Sequence, residues 1–272
     1  MPGPSASENQ SVAAVVPAAG LSIRMQAFKP LLSVAGRPLL IWCLTSLYEG
    51  GIGHIELVLG RQAEDVGRAL AQWLGAPAVG RGRTPGAPPG TNPGALPGAN
   101  PGLLPGAATA DDGQAPGVIL DARPSVHVLV NHEYANSDML HSVQLGLAEL
   151  LASNRPYSAA CILPGDMPAV SPASIQALLA AHRQAPQQTL RPSHAQRGGH
   201  PVLLPRSIWP VVTGFNQAGG LCAALAQTSI VDIAVADPGV LLDADYPPDL
   251  AQINDLLQTR APQPPGANHA AL

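Results

Sequence analysis

Charged residues are scarce in this 272-residue chain, and they carry no excess of positive charge. Only 12% of residues are charged, and 14 lysines and arginines stand against 18 aspartates and glutamates. Proteins that bind nucleic acid or anionic membranes need basic patches, so we expect neither partner. The chain also lacks a basic leader and an apolar run of membrane-spanning length. We therefore expect a cytoplasmic protein.

Cysteine is nearly absent, with three residues far apart in apolar runs. This number and spacing exclude a disulfide framework and a zinc motif. We expect Cys43, Cys161 and Cys222 to be reduced thiols in the core. Histidines such as His54 and His182 lack partners at ligand spacing, so we expect them at the surface or at strand ends rather than on a metal.

Glycine and proline are abundant, with 28 and 30 residues. Many lie in 75–117, where the octapeptide NPGALPGA is followed directly by NPGLLPGA. Proline removes a backbone donor and glycine raises the entropy cost of ordering, so we predict a disordered insertion there. A polyproline-type docking segment is the alternative. The predicted organisation is a flexible N-terminus (1–11), a single domain (12–260) that contains the insertion, and a flexible tail (261–272).

The remaining sequence alternates short apolar, β-branched runs with amphipathic stretches of 10–15 residues. Such alternation is typical of βαβ units and a mostly parallel sheet. We therefore predict an α/β fold, a Rossmann-like three-layer α/β/α sandwich. The predicted strands are 11–18, 54–60, 126–131, 158–168, 200–205 and 231–236, and the predicted helices are 38–48, 62–74, 139–151, 172–182 and 247–258.

Glycines and carboxylates follow the ends of the predicted strands. Sheets of this kind bind ligands outside the carboxyl ends of their strands, so we expect the functional site at that edge. The residues placed there are Ala18, Ala19, Gly20, Gly60, Asn131, Gly165, Asp166 and Asp243.

The turn after the first strand has the residue types of a phosphate-binding loop. It reads PAAGLSIRMQAFKPLL, and small residues at its start let backbone N–H groups approach a nucleotide. Arg24 and Lys29 could bind phosphate oxygens from two sides and stabilise a leaving pyrophosphate. The turn matches neither the Walker pattern nor the G-x-G-x-x-G fingerprint. A surface turn with two solvated cations explains the same residues, so both interpretations stay open.

Carboxylates in two later segments are candidate metal ligands. Asp166 in LPGDMP follows a buried run, where an unpaired carboxylate is costly, so we expect it to bind a cation rather than cap a turn. Asp243 and Asp245 in LLDADYPPDL share a face in an extended segment and could complete a magnesium site. An N-cap role for Asp245 is the alternative. Asp249 is expected in the first turn of a helix.

Five segments resemble, in order, the motifs of the MobA-like nucleotidyltransferases. AAGLSIRMQAFKPLL is similar to that family's L-A-A-G-x-S-x-R-M-G-x-x-K-x-L, and LPGDMPAV to its G-D-M-P-x-V. YANSDMLHSVQLGL, RGGHPVLL and DPGVLLDADYPPDL resemble its remaining motifs. The resemblance covers about 12–258 apart from the insertion, and it implies a nucleotide-diphospho-sugar transferase-like fold.

Within that family, the molybdenum cofactor cytidylyltransferases are the most similar. The first turn reads A-A-G, whereas the corresponding turn of the guanylyltransferase branch is similar to A-G-G. The resemblance implies transfer of CMP from CTP to the phosphate of a molybdopterin-type cofactor, with Mg2+ and release of pyrophosphate. The substrate phosphate would attack the α-phosphorus in line, so catalysis needs positioning and charge neutralisation rather than a protein nucleophile. A molybdoenzyme apoprotein is a further candidate partner.

The resemblance implies roles for nucleotide-binding residues. Ala18, Ala19 and Gly20 would hold the base and phosphates. Arg24 and Lys29 would bind the triphosphate, and both are catalytic candidates. Two further nucleotide-binding candidates are Asn131 and Ser142.

Roles are also implied for metal and acceptor residues. Asp166 would hold magnesium as the third catalytic candidate, and Asp243 or Asp245 would supply a second ligand. Gly199 and His200 would lie on the acceptor side.

Four positions depart from the family pattern: Gln26, Asp138, Tyr246 and Pro248. They leave room for a changed acceptor or a weakened enzyme. Two other functions also stay open. One is a sugar- or alditol-phosphate nucleotidyltransferase, because KPLLSVAGRPLLIW resembles K-P-L-L-P-V-x-G-[KR]-P-L-[LI]. The other is a non-catalytic accessory protein that carries the pterin cofactor and uses the insertion for docking.

Overall fold

The computed structural model describes residues 11–20, 28–60, 63–74, 124–153 and 155–260. Ten strands lie within these ranges. They are β1 (Val12–Ala18), β2 (Ser33–Val34), β3 (Arg37–Pro38), β4 (His54–Leu59), β5 (Ser125–Val130), β6 (Ala159–Ile162), β7 (Thr189–His194), β8 (Arg197–Gly198), β9 (Val202–Pro205) and β10 (Ile230–Ala234).

Seven α-helices connect these strands in the described part of the chain. None of them is long and apolar enough to cross a membrane. They are α1 (Leu39–Glu49), α2 (Ala63–Leu74), α3 (Met139–Ala152), α4 (Pro172–Gln184), α5 (Trp209–Thr213), α6 (Gly220–Ala224) and α7 (Pro247–Arg260).

The main sheet has eight strands, and its connected path runs β10-β7-β9-β6-β1-β4-β5, with β8 beside β7. Strand β1 pairs in parallel with β4 and β6, and β4 pairs in parallel with β5. Strand β9 runs antiparallel to β6 and β7. The predicted mostly parallel sheet is therefore confirmed, with β9 as an antiparallel insertion. The hairpin β2–β3 stands apart from it.

Helices cover both faces of the sheet, because β1 is apolar on both sides. Ala14 and Val16 pack in one core with residues of α1, α2, α4 and α7. Ala13 and Val15 pack in a second core with residues of α3, α5 and α6. Burying both faces of a central strand requires a layer of helices on each side. The predicted three-layer α/β/α sandwich is therefore confirmed.

All six predicted strands and all five predicted helices are present, and the ends of most differ by a residue or two. Ser171 and Pro172 begin α4 as its N-cap and first residue. Strand β7 was not predicted, because Arg191 and Pro192 interrupt its apolar pattern. The predicted insertion 75–117 lies outside the described residues, and the predicted domain bounds stay a prediction.

Two expectations about buried side chains were wrong. Cys222 is exposed on α6, whereas Cys43 and Cys161 are buried as expected. His182 was expected at the surface, but it is only 1% exposed. It lies in the last turn of α4, where its ring bonds to the hydroxyl of Ser158.

Candidate active site

The carboxyl ends of four neighbouring parallel strands meet at one edge of the sheet. They belong to β1, β4, β5 and β6. The antiparallel strand β9 starts at the same edge, because Val202 pairs with Ile162 at the end of β6. The residues just before β9, including His200, therefore lie beside the residues that follow β6. This is the edge at which the sequence predicts the site.

Small residues let the strand ends approach one another closely. A Cβ on Gly165 would lie 2.8 Å from the Cβ of Ala18, and a Cβ on Gly60 would lie 2.7 Å from the carbonyl oxygen of Ala19. Both distances are shorter than side chains tolerate, so glycine is required at each position. Gly165 also donates its N–H to the carbonyl of Pro17 at 3.0 Å. These contacts fix the backbone immediately before Asp166.

Lys29 connects two aspartates at this edge. Its Nζ lies 2.5 Å from Oδ1 of Asp245 and 3.4 Å from Oδ2 of Asp166. The side chain of Lys29 is 12% exposed, and those of Asp166 and Asp245 are 32% and 27% exposed. The backbone holds the two acidic segments together, because Ala244 donates its N–H to the carbonyl of Asp166 at 2.9 Å. The ammonium group therefore has a fixed place between two partly buried carboxylates.

Asp243 adds a third carboxylate close to this pair. Partial burial raises its pKa, and the negative charges of Asp245 and Asp166 raise it further. The ionised form of Asp243 is thus disfavoured by its surroundings. We call Lys29, Asp166, Asp243 and Asp245 the Lys29 cluster. It has three carboxylates and one described cation, so it carries net negative charge that a further cation would relieve.

The start of the predicted phosphate loop is open to solvent. Ala19 is buried, but Gly20 is exposed, and no described atom lies within 4 Å of a Cβ built on Gly20. Packing in the described part of the chain therefore does not require glycine there. The absent side chain leaves room for a ligand to approach the backbone.

The profile of the MobA-like NTP transferase domain matches residues 14–233. The chain belongs to this family. No curated protein sequence matches the chain at a significant level. Solved structures match over most of the chain, and the likeness is to the fold, because the identities are low.

Three solved structures illustrate this likeness. The Rv0371c protein of Mycobacterium tuberculosis is 19% identical with a TM-score of 0.59, covering 90% of this chain and 98% of its own. The 4-diphosphocytidyl-2C-methyl-D-erythritol synthase of Anaerococcus prevotii is 12% identical with a TM-score of 0.58, covering 92% and 96%. The molybdopterin-guanine dinucleotide biosynthesis protein A of Archaeoglobus fulgidus is 12% identical with a TM-score of 0.53, covering 92% and 100%.

The fold of this MobA-like chain brings some of the predicted site residues together and separates others. Lys29, Asp166, Asp243 and Asp245 form one cluster. Arg24 and Gln26 fall outside the described residues, so the predicted pairing of Arg24 with Lys29 stays a prediction. The alternative in which Lys29 is merely solvated is disfavoured, because its ammonium group is largely buried between carboxylates.

Asn131 and Ser142 lie side by side, but in the interior. They are 1% and 2% exposed, and Nδ2 of Asn131 donates to the hydroxyls of Ser142 and Ser137 at 3.2 and 3.0 Å. The side-chain oxygen of Asn131 accepts the N–H of Glu133 at 2.9 Å. These bonds shape the loop after β5. The predicted nucleotide-binding role of the pair would therefore be to position that loop.

Gly199 and His200 pack against the segment that leads to Asp243. His200 donates its N–H to the carbonyl of Val240 at 2.9 Å, and a Cβ on Gly199 would collide with that same carbonyl group. Burial lowers the pKa of His200 and outweighs the opposing effect of Asp243. A neutral imidazole therefore stands next to the Lys29 cluster, on the side predicted for the acceptor.

Three departures from the family pattern have simple local roles. Asp138 is the N-cap of α3, and its carboxylate accepts the N–H of His141. Tyr246 is exposed and precedes α7, and Pro248 lies in the first turn of that helix, where proline is tolerated. Asp249 also lies in this first turn, as predicted, and accepts the N–H of Tyr246 at 2.6 Å.

The described residues contain no group of three or more histidine, cysteine or acidic side chains arranged to hold a metal ion by themselves. Magnesium is usually bound through one or two carboxylates together with substrate phosphates, so this finding is compatible with a metal that enters with a nucleotide. The crowded carboxylates of the Lys29 cluster have the donor chemistry for it. Asp166 with Asp243 or Asp245 would be the protein ligands.

Sequence reasoning missed the role of Asp237. Its buried carboxylate accepts the N–H of Ser171 at 2.8 Å and the hydroxyl of Ser174 at 2.7 Å, and it pairs with Arg260. It also accepts the N–H of Gly239 at 3.0 Å. The Asp-Pro-Gly sequence after β10 signals such a local turn, but its distant partners leave no sign in the sequence.

Proposed function

We propose that this chain transfers CMP from CTP to the phosphate of a molybdopterin-type cofactor and releases pyrophosphate, with Mg2+. The observation that carries the proposal is the Lys29 cluster, which lies at the carboxyl edge of the sheet in a chain of the MobA-like NTP transferase family. A partly buried cation next to crowded carboxylates suits a reaction in which a triphosphate and a divalent metal must be held together.

Lys29 would bind the triphosphate in this proposal. Its ammonium group lies between Asp166 and Asp245, which supports a place for it beside the phosphates. A lysine in this position supplies positive charge where the leaving pyrophosphate develops negative charge. Arg24 would supply a second positive charge, and Gly20 would let the backbone approach the nucleotide.

Asp166 and either Asp243 or Asp245 would hold the magnesium ion. When bound, the metal supplies positive charge to the phosphate oxygens. A protein from Mycobacterium tuberculosis with the same fold is described in complex with manganese, which makes a divalent metal reasonable for this fold. The neutral ring of His200 would orient the acceptor, because His200 lies beside the segment that leads to Asp243 and adds no charge there.

The cytidine preference rests on the first turn, which reads Ala18-Ala19-Gly20. The guanylyltransferase branch resembles A-G-G at these positions. In this chain Ala19 is buried, and its backbone lies close to Gly60 after β4. Ala19 therefore has a methyl group at a position where the guanylyltransferase branch has glycine. We propose that this difference favours a pyrimidine base.

Pyrophosphate release with Mg2+ tests the proposal. CTP, GTP and ATP are compared, each with and without molybdenum cofactor, for the wild type and for Asp166→Asn. Asp255→Asn is the matched control, because Asp255 is exposed on α7. The proposal predicts release that needs both CTP and the cofactor, is lost in Asp166→Asn and is retained in Asp255→Asn.

The other outcomes separate the alternatives. Release with a sugar phosphate or an alditol phosphate in place of the cofactor would assign the sugar-nucleotide function. Absence of turnover with every nucleotide and acceptor, in protein shown to be folded and to bind the pterin cofactor, would favour the non-catalytic carrier. Either result would overturn the cytidylyltransferase proposal.

A further inference from the structure

The short turn that presents Asp166 is held from several sides. It comprises residues 164–167, shortly after the end of β6, and we call it the Asp166 turn. Within it, Gly165 donates its N–H to the carbonyl of Pro17 in β1 at 3.0 Å, and the carbonyl of Asp166 accepts the N–H of Ala244 at 2.9 Å. These two bonds join the turn to the central strand and to the acidic segment that carries the other carboxylates of the Lys29 cluster.

Helix α1 supplies a further contact to this turn, through the side chain of Cys43. The thiol is 0% exposed and donates weakly to the carbonyl of Pro164 at 3.9 Å. Burial raises the pKa of the Cys43 thiol, the charge of Asp166 raises it further, and a hydrogen bond from the backbone of Met167 lowers it. The thiol is therefore neutral and keeps its proton for the carbonyl of Pro164, close to the charge of Asp166.

The sulfur of Cys43 thus meets both ends of the Asp166 turn. Pro164 is the first residue of the turn and Met167 the last, and the N–H of Met167 also lies 3.3 Å from the carbonyl of Pro164. Asp166 lies between these two contacts. A displacement of about 1 Å at a reacting group can cost about 100-fold in rate, so a weak contact here can matter more to the chemistry than to stability.

A second buried cysteine provides a comparison. Cys161 on β6 is also 0% exposed and packs in the same core as Cys43. Burial alone raises the pKa of the Cys161 thiol. Among the described residues, its sulfur has no hydrogen bond to the Asp166 turn. The two thiols are therefore alike in size and burial and differ in their contact with the turn.

We propose that Cys43 is a positioning residue, whose thiol holds the Asp166 turn so that the carboxylate of Asp166 keeps its place beside Lys29. Cys43 acts only through Asp166 and touches no substrate. The consequence for catalysis rests on the proposed function, because that function makes Asp166 a magnesium ligand.

Amide hydrogen exchange, followed by NMR in the full chain, tests the positioning without any substrate. The reporters are the N–H groups of Gly165 and Ala244, whose bonds hold the turn. Cys43→Ala should speed their exchange about tenfold more than Cys161→Ala does, because both variants remove a buried thiol and one of them also removes a contact to the turn. Cys43→Ser keeps a donor, so its exchange should be slower than that of Cys43→Ala. Equal acceleration in the two alanine variants would overturn the proposal.

Pyrophosphate release with CTP, Mg2+ and molybdenum cofactor tests the consequence for catalysis. Cys43→Ala should lower kcat about tenfold with little change in the KM for CTP, because Lys29 still binds the triphosphate while the metal ligand is displaced. Cys161→Ala should keep kcat within about twofold of the wild type, and Cys43→Ser should recover most of it. Circular dichroism checks that each variant is folded.

The outcomes separate this inference from the proposed function. Equal kcat values for Cys43→Ala and Cys161→Ala would show that Cys43 only fills the core, and would overturn the proposal. Absence of release by the wild type would contradict the cytidylyltransferase function instead. The exchange rates of Gly165 and Ala244 would then still decide whether Cys43 holds the turn.

Discussion

Asp237 and Asp243 follow the same strand, β10, but their surroundings are opposite. Asp237 is 6% exposed and has four partners, Ser171, Ser174, Gly239 and Arg260. Burial by itself raises the pKa of Asp237, but the hydrogen bonds from Ser174 and Ser171 outweigh it, and the net pKa is lowered. Partial burial and two neighbouring carboxylates raise the pKa of Asp243 instead.

This contrast separates a structural carboxylate from a candidate functional one. The charge of Asp237 is fully compensated inside the protein, so it stabilises the fold by linking α4, α7 and the segment after β10. The Lys29 cluster instead places three carboxylates beside one lysine among the described residues. Keeping like charges together is unfavourable for stability, and such clusters are characteristic of sites that bind a charged ligand.

Removing the compensated carboxylate should have the largest effect. Asp237→Ala leaves the buried donors of Ser171 and Ser174 and the charge of Arg260 without their partner. We expect the free energy of unfolding to fall by about 3–5 kcal/mol, measured by urea denaturation. Asp255→Ala on the exposed side of α7 should change it by less than about 0.5 kcal/mol. A loss for Asp237→Ala as small as the control would contradict the structural role.

Asp166→Asn should have the opposite effect, a large loss of activity with little loss of stability. It removes a charge from the Lys29 cluster, so we expect activity to fall by about 100- to 1000-fold with almost no loss of unfolding free energy. Pyrophosphate release and urea denaturation of the same preparations measure the two effects. Full activity in folded Asp166→Asn would show that the cluster is not the active site.

A third carboxylate, Glu56, extends the comparison to the opposite end of the sheet. Its side chain is 2% exposed and bonds to His54 and His127. Burial raises its pKa, but the bonds from His127 and His54 outweigh this and lower it. The hydrogen bond to Glu56 raises the pKa of His127 above its ordinary value of 6.5.

The pH dependence of stability follows from these directions. The contribution of Glu56 is present above pH 4.5 and is lost as pH falls through its lowered pKa. The contribution of His127 is present below pH 6.5 and is lost as pH rises through its raised pKa. His127→Gln should therefore lose about 1–2 kcal/mol of unfolding free energy at a pH between these values and less at pH 8. A pH-independent loss would contradict the charged pair.

The smallest effect is expected for Asp243→Asn. Because the raised pKa of Asp243 disfavours its ionised form in the folded state, the carboxylate lowers stability above pH 3.8 and not below it. The amide should therefore raise the unfolding free energy at pH 7, by at most about 0.5 kcal/mol because the side chain is exposed to solvent. Thermal unfolding at pH 7 and pH 3 measures this, and destabilisation at pH 7 would show that Asp243 has a structural partner like Asp237.

Local sequence patterns were enough to predict the main strands, the five longer helices and the edge that carries the candidate site. Apolar periodicity depends on neighbours a few residues away, and glycine after a strand reflects a local need for close approach. Strand β7 was missed because Arg191 and Pro192 interrupt its apolar pattern. Its strand conformation is shown by its pairing with β10, which the sequence of β7 alone does not predict. The burial of Asn131 and Ser142 was missed as well. A short polar side chain is expected at the surface unless its hydrogen-bond partners are known, and the sequence does not show those partners.

The amino-acid sequence by itself determined the alternation of strands and helices, the family of the chain and the identity of the charged residues near the strand ends. Only the tertiary structure decided how those charges are paired. Lys29 meets Asp245 across 216 positions of the chain, and Asp237 meets Arg260 at the end of the last helix. The physical reason is that the pKa of a carboxylate depends on its own burial and on its distances to the surrounding charges and donors. Only the folded chain sets those distances.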